Sequence, residues 1–304
     1  LHSKLTSDAP AAAFTLQTHG PWPERGDSLV IAFDLALESL HLQELGLTPY
    51  VLNMDGPMKG RIALMPDARG QYALQAPGLR VFNAERTFAF ERFLLNGLLD
   101  TDSTSLDLDC DAARINYHAN LSLDSTASLL RERLLGAFQE PYAFIPPTGK
   151  RITLKVDLPG TERLASLIHP ALHAMEVKRF EGRYDSDRDS LALNVDIPLL
   201  DYAGVEVKGL RIDLNAAGPD LEGQLAVLQV MRDSLHLDDV ILQATNAPGA
   251  LRTQLRIRDG TSDHYRIGLD LRREDGIPVA HLQEELILDR NPWKAMAGNA
   301  LYLD

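Results

Sequence analysis

The chain has 304 residues, 45% of them apolar and 24% charged, the balance of a folded protein with room for one large or two medium domains. No window offers the ~20 uninterrupted apolar residues of a membrane-spanning helix, and the net charge of −13, with Lys and Arg scattered singly among acids, does not suit a phosphate backbone. Nucleic acid is therefore not an expected partner.

From Phe14 to Leu123 the pattern is strand after strand. Apolar residues recur at every second position, which puts them on one side of a pleated strand. The runs are Phe14 to Thr18, Leu29 to Leu42, Val51-Leu52 leading into Arg61 to Met65, Gln71 to Gln75, Arg80 to Phe82, Thr87 to Leu95, Ser105 to Cys110 and Ala113 to Leu123. Turns rich in Gly, Pro, Asp and Asn separate them, as an all-β chain requires. An Asp-Ser pair opens several runs: Asp27-Ser28, Asp189-Ser190 and Asp233-Ser234.

The middle of the chain changes period. Asp124 or Ser125 can cap a helix carrying Leu129, Leu130, Leu134, Leu135 and Phe138 at intervals of three to four. After Pro146-Pro147 comes a strand with Ile152, Leu154, Val156 and Leu158, and Thr161 can cap a second helix running to His173. Strands then resume: Met175 to Tyr184, Ser190 to Pro198, Val205 to Asn215, Leu221 to Val230, Leu235 to Ala244, Leu251 to Arg258, His264 to Arg272, Pro278 to Asp289, and Leu301 to Leu303. This divides the chain into a first β segment (1–123), a helical insertion with one strand (124–174) and a second β segment (175–304).

Residues that could carry chemistry have simpler readings. Cys110 stands alone between Asp109 and Asp111, whose carboxylates disfavour a thiolate, so it reads as a small buried hydrophobe. His169 and His173 have the spacing of a zinc pair on a helix, but Pro170 lies between them and the general-base Glu is missing. Asp185, Asp187 and Asp189 resemble the opening of a calcium loop, yet Ser190 stands where that loop needs Gly, and a hairpin turn accounts for the same residues. Glu284-Glu285 and Asp238-Asp239 are adjacent on strands and point to opposite faces. No enzyme, metal or cofactor is expected.

The succession Arg183-Tyr184-Asp185-Ser186, then Asp189 to Pro198, then Tyr202-Ala203-Gly204-Val205 to Leu214 resembles the repeats of the AsmA-like superfamily, and most of all its TamB (translocation and assembly module) branch. Asp233 to Val240, Asn291-Pro292-Trp293 and, in the first segment, Leu40 to Leu47 with Leu52 to Met65 are similar. The chain opens at Leu1 with no initiating Met and no leader, and is read as an internal piece of a longer protein.

The resemblance implies a mainly β fold: an elongated, curved antiparallel gutter with an apolar concave face and one or two short helices. It further implies the periplasmic portion of an inner-membrane-anchored protein, held in that membrane by a segment outside this chain. The partners implied are phospholipid acyl chains in the groove and an outer-membrane barrel of the BamA family. The groove face would carry Leu29, Ile31, Phe33, Leu35, Ile62, Leu64, Tyr72 and Leu74, then Ile152, Leu154 and Val156, then Leu191, Leu193, Val195, Ile197, Leu210, Ile212, Leu214, Tyr265, Ile267 and Leu269. A scaffold for outer-membrane protein assembly is the alternative function. Alternation alone also fits a closed sandwich, in which two apolar faces meet and bind nothing.

Overall fold

A computed structural model describes residues 2–21, 28–65, 69–136, 144–158, 165, 167, 169–247, 249–274 and 277–302. Of the described residues 68% are strand and 6% helix, and they form one antiparallel sheet of 22 strands that does not close. That is far from the roughly one-third helix of an average domain. The expected mainly β class is the one observed. The chain forms two compact units, residues 1–122 with 154–176 and residues 123–153 with 177–304.

In the first unit, β1 (His2–Ala9), β2 (Ala12–His19), β3 (Leu29–His41), β4 (Asn53–Leu64), β5 (Gly70–Gln75), β8 (Phe93–Leu99), β9 (Thr104–Cys110) and β10 (Arg114–Ala119) pair in that order. The short β6 (Arg80–Phe82) and β7 (Thr87–Ala89) branch from the start of β4. Arg80 fastens the branch through two 2.6 Å hydrogen bonds to Asp55, and this carboxylate raises the Arg80 pKa.

Several expected boundaries are corrected. The run expected from Val51-Leu52 into Arg61 to Met65 is β4, which starts at Asn53, ends at Leu64 and passes through Gly56-Pro57 and Gly60, its two halves pairing with different strands, β6 and then β5. Thr87 to Leu95 is two strands, separated where the Asp111 carboxylate accepts the N–H groups of Glu91 and Arg92. β10 ends at Ala119, short of the expected Leu123. β1 carries one large apolar residue in HSKLTSDA, too few to show an alternation.

The helix α1 (Leu123–Gly136) starts at Leu123, with Asp124 in its first turn, where a carboxylate favours the positive end of the helix dipole. The tip of the expected helix, beyond Gly136, lies outside the described residues, as do residues 161–164, 166 and 168 of the second helix expected over Thr161 to His173, of which Ala165 and Leu167 are helical. Leu172 and His173 are strand. β11 (Arg151–Leu158) and β12 (Leu172–Asp185) each contribute to both units.

The second unit pairs β13 (Ser190–Tyr202), β14 (Val205–Ala217), β15 (Asp220–Arg232), β16 (Leu235–Ala247), β17 (Ala250–Asp259), β18 (Ser262–Glu274) and β19 (Ile277–Leu282) in sequence. β20 (Glu285–Leu288) pairs with β18 and with β21 (Asn291–Lys294), and β22 (Leu301–Tyr302) pairs with β19. The expected strand Pro278 to Asp289 is thus two, interrupted at Gln283-Glu284.

The hairpin turns explain the Asp-Ser signature. Asp189 and Asp233 sit at φ 43° and 50°, a left-handed conformation that Asp tolerates, and the Ser that follows opens or precedes the next strand. Ala203-Gly204 takes positive φ at both positions, the two-residue hairpin that matches strand twist. Asp187 N–H donates to Asp185 at 3.1 Å within the β12–β13 turn.

Candidate functional site

The register turns the alternation into two surfaces. Residues opposite one another in an antiparallel ladder share a face. In the first unit one face carries Leu29 opposite Leu64, Ile31 opposite Ile62 and Tyr72, Phe33 opposite Gly60 and Leu74, and Leu35 opposite Met58 and Leu16. It continues through Leu95, Leu108 and Ile115, and at the other edge through Leu5. All eight groove residues expected here lie on this face. The reverse face pairs Asp34 with Lys59 at 3.4 Å and Asp107 with Asn116 at 2.9 Å.

In the second unit the same construction gives a row of Leu193, Leu214, Gly223, Ala244, Thr253 and Leu269. The next row is Val195, Ile212, Leu225, Leu242, Leu255 and Ile267, and Ile197, Leu210, Ile257 and Tyr265 belong to the one after. Leu191 shares the face, at the hairpin end. All ten groove residues expected in this segment are therefore on one side. Ile152, Leu154 and Val156 alternate with exposed Arg151, Thr153 and Lys155 on β11, Ile152 being buried.

A one-residue slip in the alternation is absorbed by bulges. Val240 stands opposite Ile257 and Asp238 opposite Arg258, so Asp239, at φ 48°, is left over. Ile257 and Arg258 are neighbours and face opposite ways, hence Leu237 shares the side of Val240. In the neighbouring ladders, whose register does not shift, Pro198 of β13, Gly209 at φ 63° of β14 and Leu228 of β15 stand unpaired along the same row, with Leu200, Val207, Val230 and Leu237 in register beyond it. His264 is the extra residue in β18. In the first unit Glu38 has this role, since Phe14 pairs with Leu37 and Ala12 with Leu40. Without these bulges the far half of each strand would turn its apolar residues to the other side.

These faces are not closed cores. Leu193, Ile212, Leu214, Leu225, Leu255, Ile267 and Leu269 are half-buried, and Ile62 (38%), Leu64 (49%) and Leu99 (50%) are exposed. On the same side of the second unit Leu191, Val195 and Val227 are buried, so cover varies along the face. The accessible surface is 18298 Å² for 33.6 kDa, whereas one compact domain of this mass exposes about 12,700 Å² and two separate halves about 15,300 Å². The observed area exceeds both figures, more than a compact sandwich of this mass would expose.

Each unit also has a part that is closed. Ala76, Leu79, Phe90, Cys110 and Ala112 form a buried cluster at one end of the first apolar face, with Phe88 and Phe93 edge-on to Phe90. Cys110 is one of its members, buried as its sequence context implied. In the second unit Arg133 of α1 is fully buried, 2.7 Å from the Asp189 carboxylate, and donates to the Gly218 carbonyl at 2.6 Å. One guanidinium thereby ties α1 to two hairpin turns. Beside it the hydroxyl of buried Tyr184 has no hydrogen-bond partner among the described residues, and burial with the Asp189 charge pushes its pKa up to about 12.

The residues set aside on sequence grounds are engaged elsewhere. His173 is exposed on β12 while His169 precedes that strand, packs edge-on to Tyr50 and accepts the Ala171 N–H at 3.1 Å, so the two do not share a helix face. Asp185, Asp187 and Asp189 belong to the β12–β13 turn and take separate partners: Arg151 for the first two and Arg133 for the third. Among the described residues no group of three or more His, Cys, Asp or Glu is placed to hold a metal ion, and no helix is long and apolar enough to cross a membrane. A depression of about 700 Å³ at the hairpin ends of the second unit is lined by Leu191 and Ala216 from the apolar side and Asn215 and Glu222 from the other, so it wraps the strand ends and does not lie along the apolar face. Compared with known proteins, the chain matches no family model, no curated protein and no solved structure.

Proposed function

We propose that this chain is part of a bridge-like lipid conduit, whose apolar faces hold phospholipid acyl chains in transit between two membranes. The observation that carries the reading is the combination of in-register apolar rows with many half-exposed side chains in each unit. A face built for a closed core would be covered, and one built for solvent would be polar. An acyl chain laid on such rows gains about 0.8 kcal/mol for each CH₂ it buries, which over a whole tail offsets extraction from a bilayer. The resemblance to TamB-type repeats supplies the setting: the periplasm, an inner-membrane anchor outside this chain and a BamA-family barrel at the far membrane. The reading needs no catalytic residue.

Native mass spectrometry of the protein purified without detergent tests this. Co-purifying phospholipid is the expected result, and lipid-free protein from a lipid-rich source contradicts it.

One observation favours the second reading, a scaffold for outer-membrane protein assembly. The eight residues of β1 pair with β2 along one side, and all but one are exposed. Among the described residues no other strand is seen to pair with β1, and an edge of that kind can accept a client strand. A β1 that is protected from amide exchange only when an unfolded barrel protein is added supports the scaffold.

A further inference from the structure

Two glycines on the apolar face of the first unit are there for space and not for backbone freedom. Gly60 and Gly97 lie inside β4 and β8, and neither has the positive φ of the turn glycines. Gly60 stands opposite Phe33 and Gly97 opposite Tyr72. A β-carbon at Gly60 would fall against the Phe33 ring and 2.9 Å from the Ala73 carbonyl oxygen, and one at Gly97 against the phenol end of Tyr72, at its Cζ and hydroxyl. Each ring therefore lies flat across the neighbouring strand, filling the gap that the missing side chain leaves. The pairs occupy successive rows, Phe33–Gly60–Leu74 and Ile62–Tyr72–Gly97, so the two largest side chains of this region form floor where they would otherwise form walls.

We propose that Gly60 and Gly97 are positioning residues for the acyl chain: they keep Phe33 and Tyr72 lying down and so hold the apolar face of the first unit clear. The proposal rests on the conduit reading. An alanine at either site cannot coexist with the ring where it lies, and the ring must rise into the space that a lipid tail would use. The site accordingly suits thin, flexible, unbranched chains that slide over flat rings.

The test uses Gly97→Ala, Gly60→Ala, Tyr72→Ala and the double variant Tyr72→Ala/Gly97→Ala, with parinaric acid, a fluorescent long-chain fatty acid, as the probe. Gly97→Ala and Gly60→Ala are expected to weaken parinaric acid binding at least tenfold. The double variant is expected to regain binding to within about twofold of wild type, because the obstructing ring is gone. An independent readout follows the ring itself. Burial raises the Tyr72 pKa, and in Gly97→Ala its NMR-observed ionisation is expected to move down toward ordinary tyrosine. A folded Gly97→Ala protein with unchanged Tyr72 ionisation and unchanged binding overturns the proposal and leaves the conduit reading intact. Wild-type protein that does not bind parinaric acid at all, with the Tyr72 shift still present, overturns the conduit reading and the proposed role together. If Gly97→Ala does not fold, Gly60→Ala with Phe33→Ala/Gly60→Ala decides by the same criteria.

Discussion

In the first unit the apolar rows that begin at exposed Leu64 and Leu99 run into a closed core at the Phe93–Cys110 end of their strands. In the second the rows run past a line of bulges and stay half-exposed through Leu200, Val207, Val230 and Leu237. Both units use the same alternation, yet one finishes its face with a plug of Phe, Leu and Ala while the other re-aims its strands and continues. Sidedness and cover are thus separate properties: the first is set by which residues alternate, the second by what else folds over them.

Truncations should separate these properties most sharply. Phe90 is 6% exposed within the closed cluster, and Phe90→Ala should cost about 3–5 kcal/mol of unfolding free energy. Leu64→Ala removes a side chain that is already 49% exposed, and should cost under about 1 kcal/mol. Urea titration of both variants checks the contrast, and similar losses would show that the face is as well covered as the core.

The Arg133 tie should be next in size. Arg133→Ala leaves the Asp189 carboxylate and the Gly218 carbonyl without their buried partner, and a loss of about 3 kcal/mol is expected. Proteolysis should then begin at α1, with strands β14 to β18 still protected. Simultaneous loss of both would mean that the helix is integral to the sheet.

The smallest effect is one of pH. The Tyr184 pKa is raised in the folded protein, so folding favours its neutral form. That contribution is complete below the ordinary tyrosine value of about 10 and is lost as pH rises through about 12. Tyr184→Phe should leave stability at neutral pH nearly unchanged and remove this alkaline loss. An identical alkaline profile in wild type and variant would assign the loss to other groups.

Much of the fold was legible in the sequence because period-two alternation is a strong local signal. The expected runs at Gln71, Ser190, Val205 and Leu221 fall within observed strands, and the one at Leu29 overruns its strand by one residue. Less legible were the features set by distant partners. β1 is a strand because β2 offers it a ladder, not because HSKLTSDA alternates. Val205, Val207, Leu210 and Ile212 read locally as a broken pattern, and only the bulge at Asp239, carried back through the ladders of β16, β15 and β14, puts Val207 on the side of Leu210. The closed cluster around Phe90 and the Arg133 tie were not visible either. Each joins residues from separate strands or turns, and nothing in their local spacing announces the contact.

The open face is the central claim, and charged substitutions in the second unit test it most directly. Leu193 and Ile212 lie on the apolar side, and Asn194 and Asp213 stand opposite one another on the reverse side. Urea unfolding and co-purified phospholipid are measured together for Leu193→Glu and Ile212→Glu, with Asn194→Glu and Asp213→Lys as controls. An open face predicts inner-side variants that fold with a loss of no more than about 2 kcal/mol, since a half-exposed carboxylate still reaches water, and that carry no phospholipid while the controls keep theirs. Inner-side variants that fail to fold, beside stable controls, would contradict the account and show a covered core.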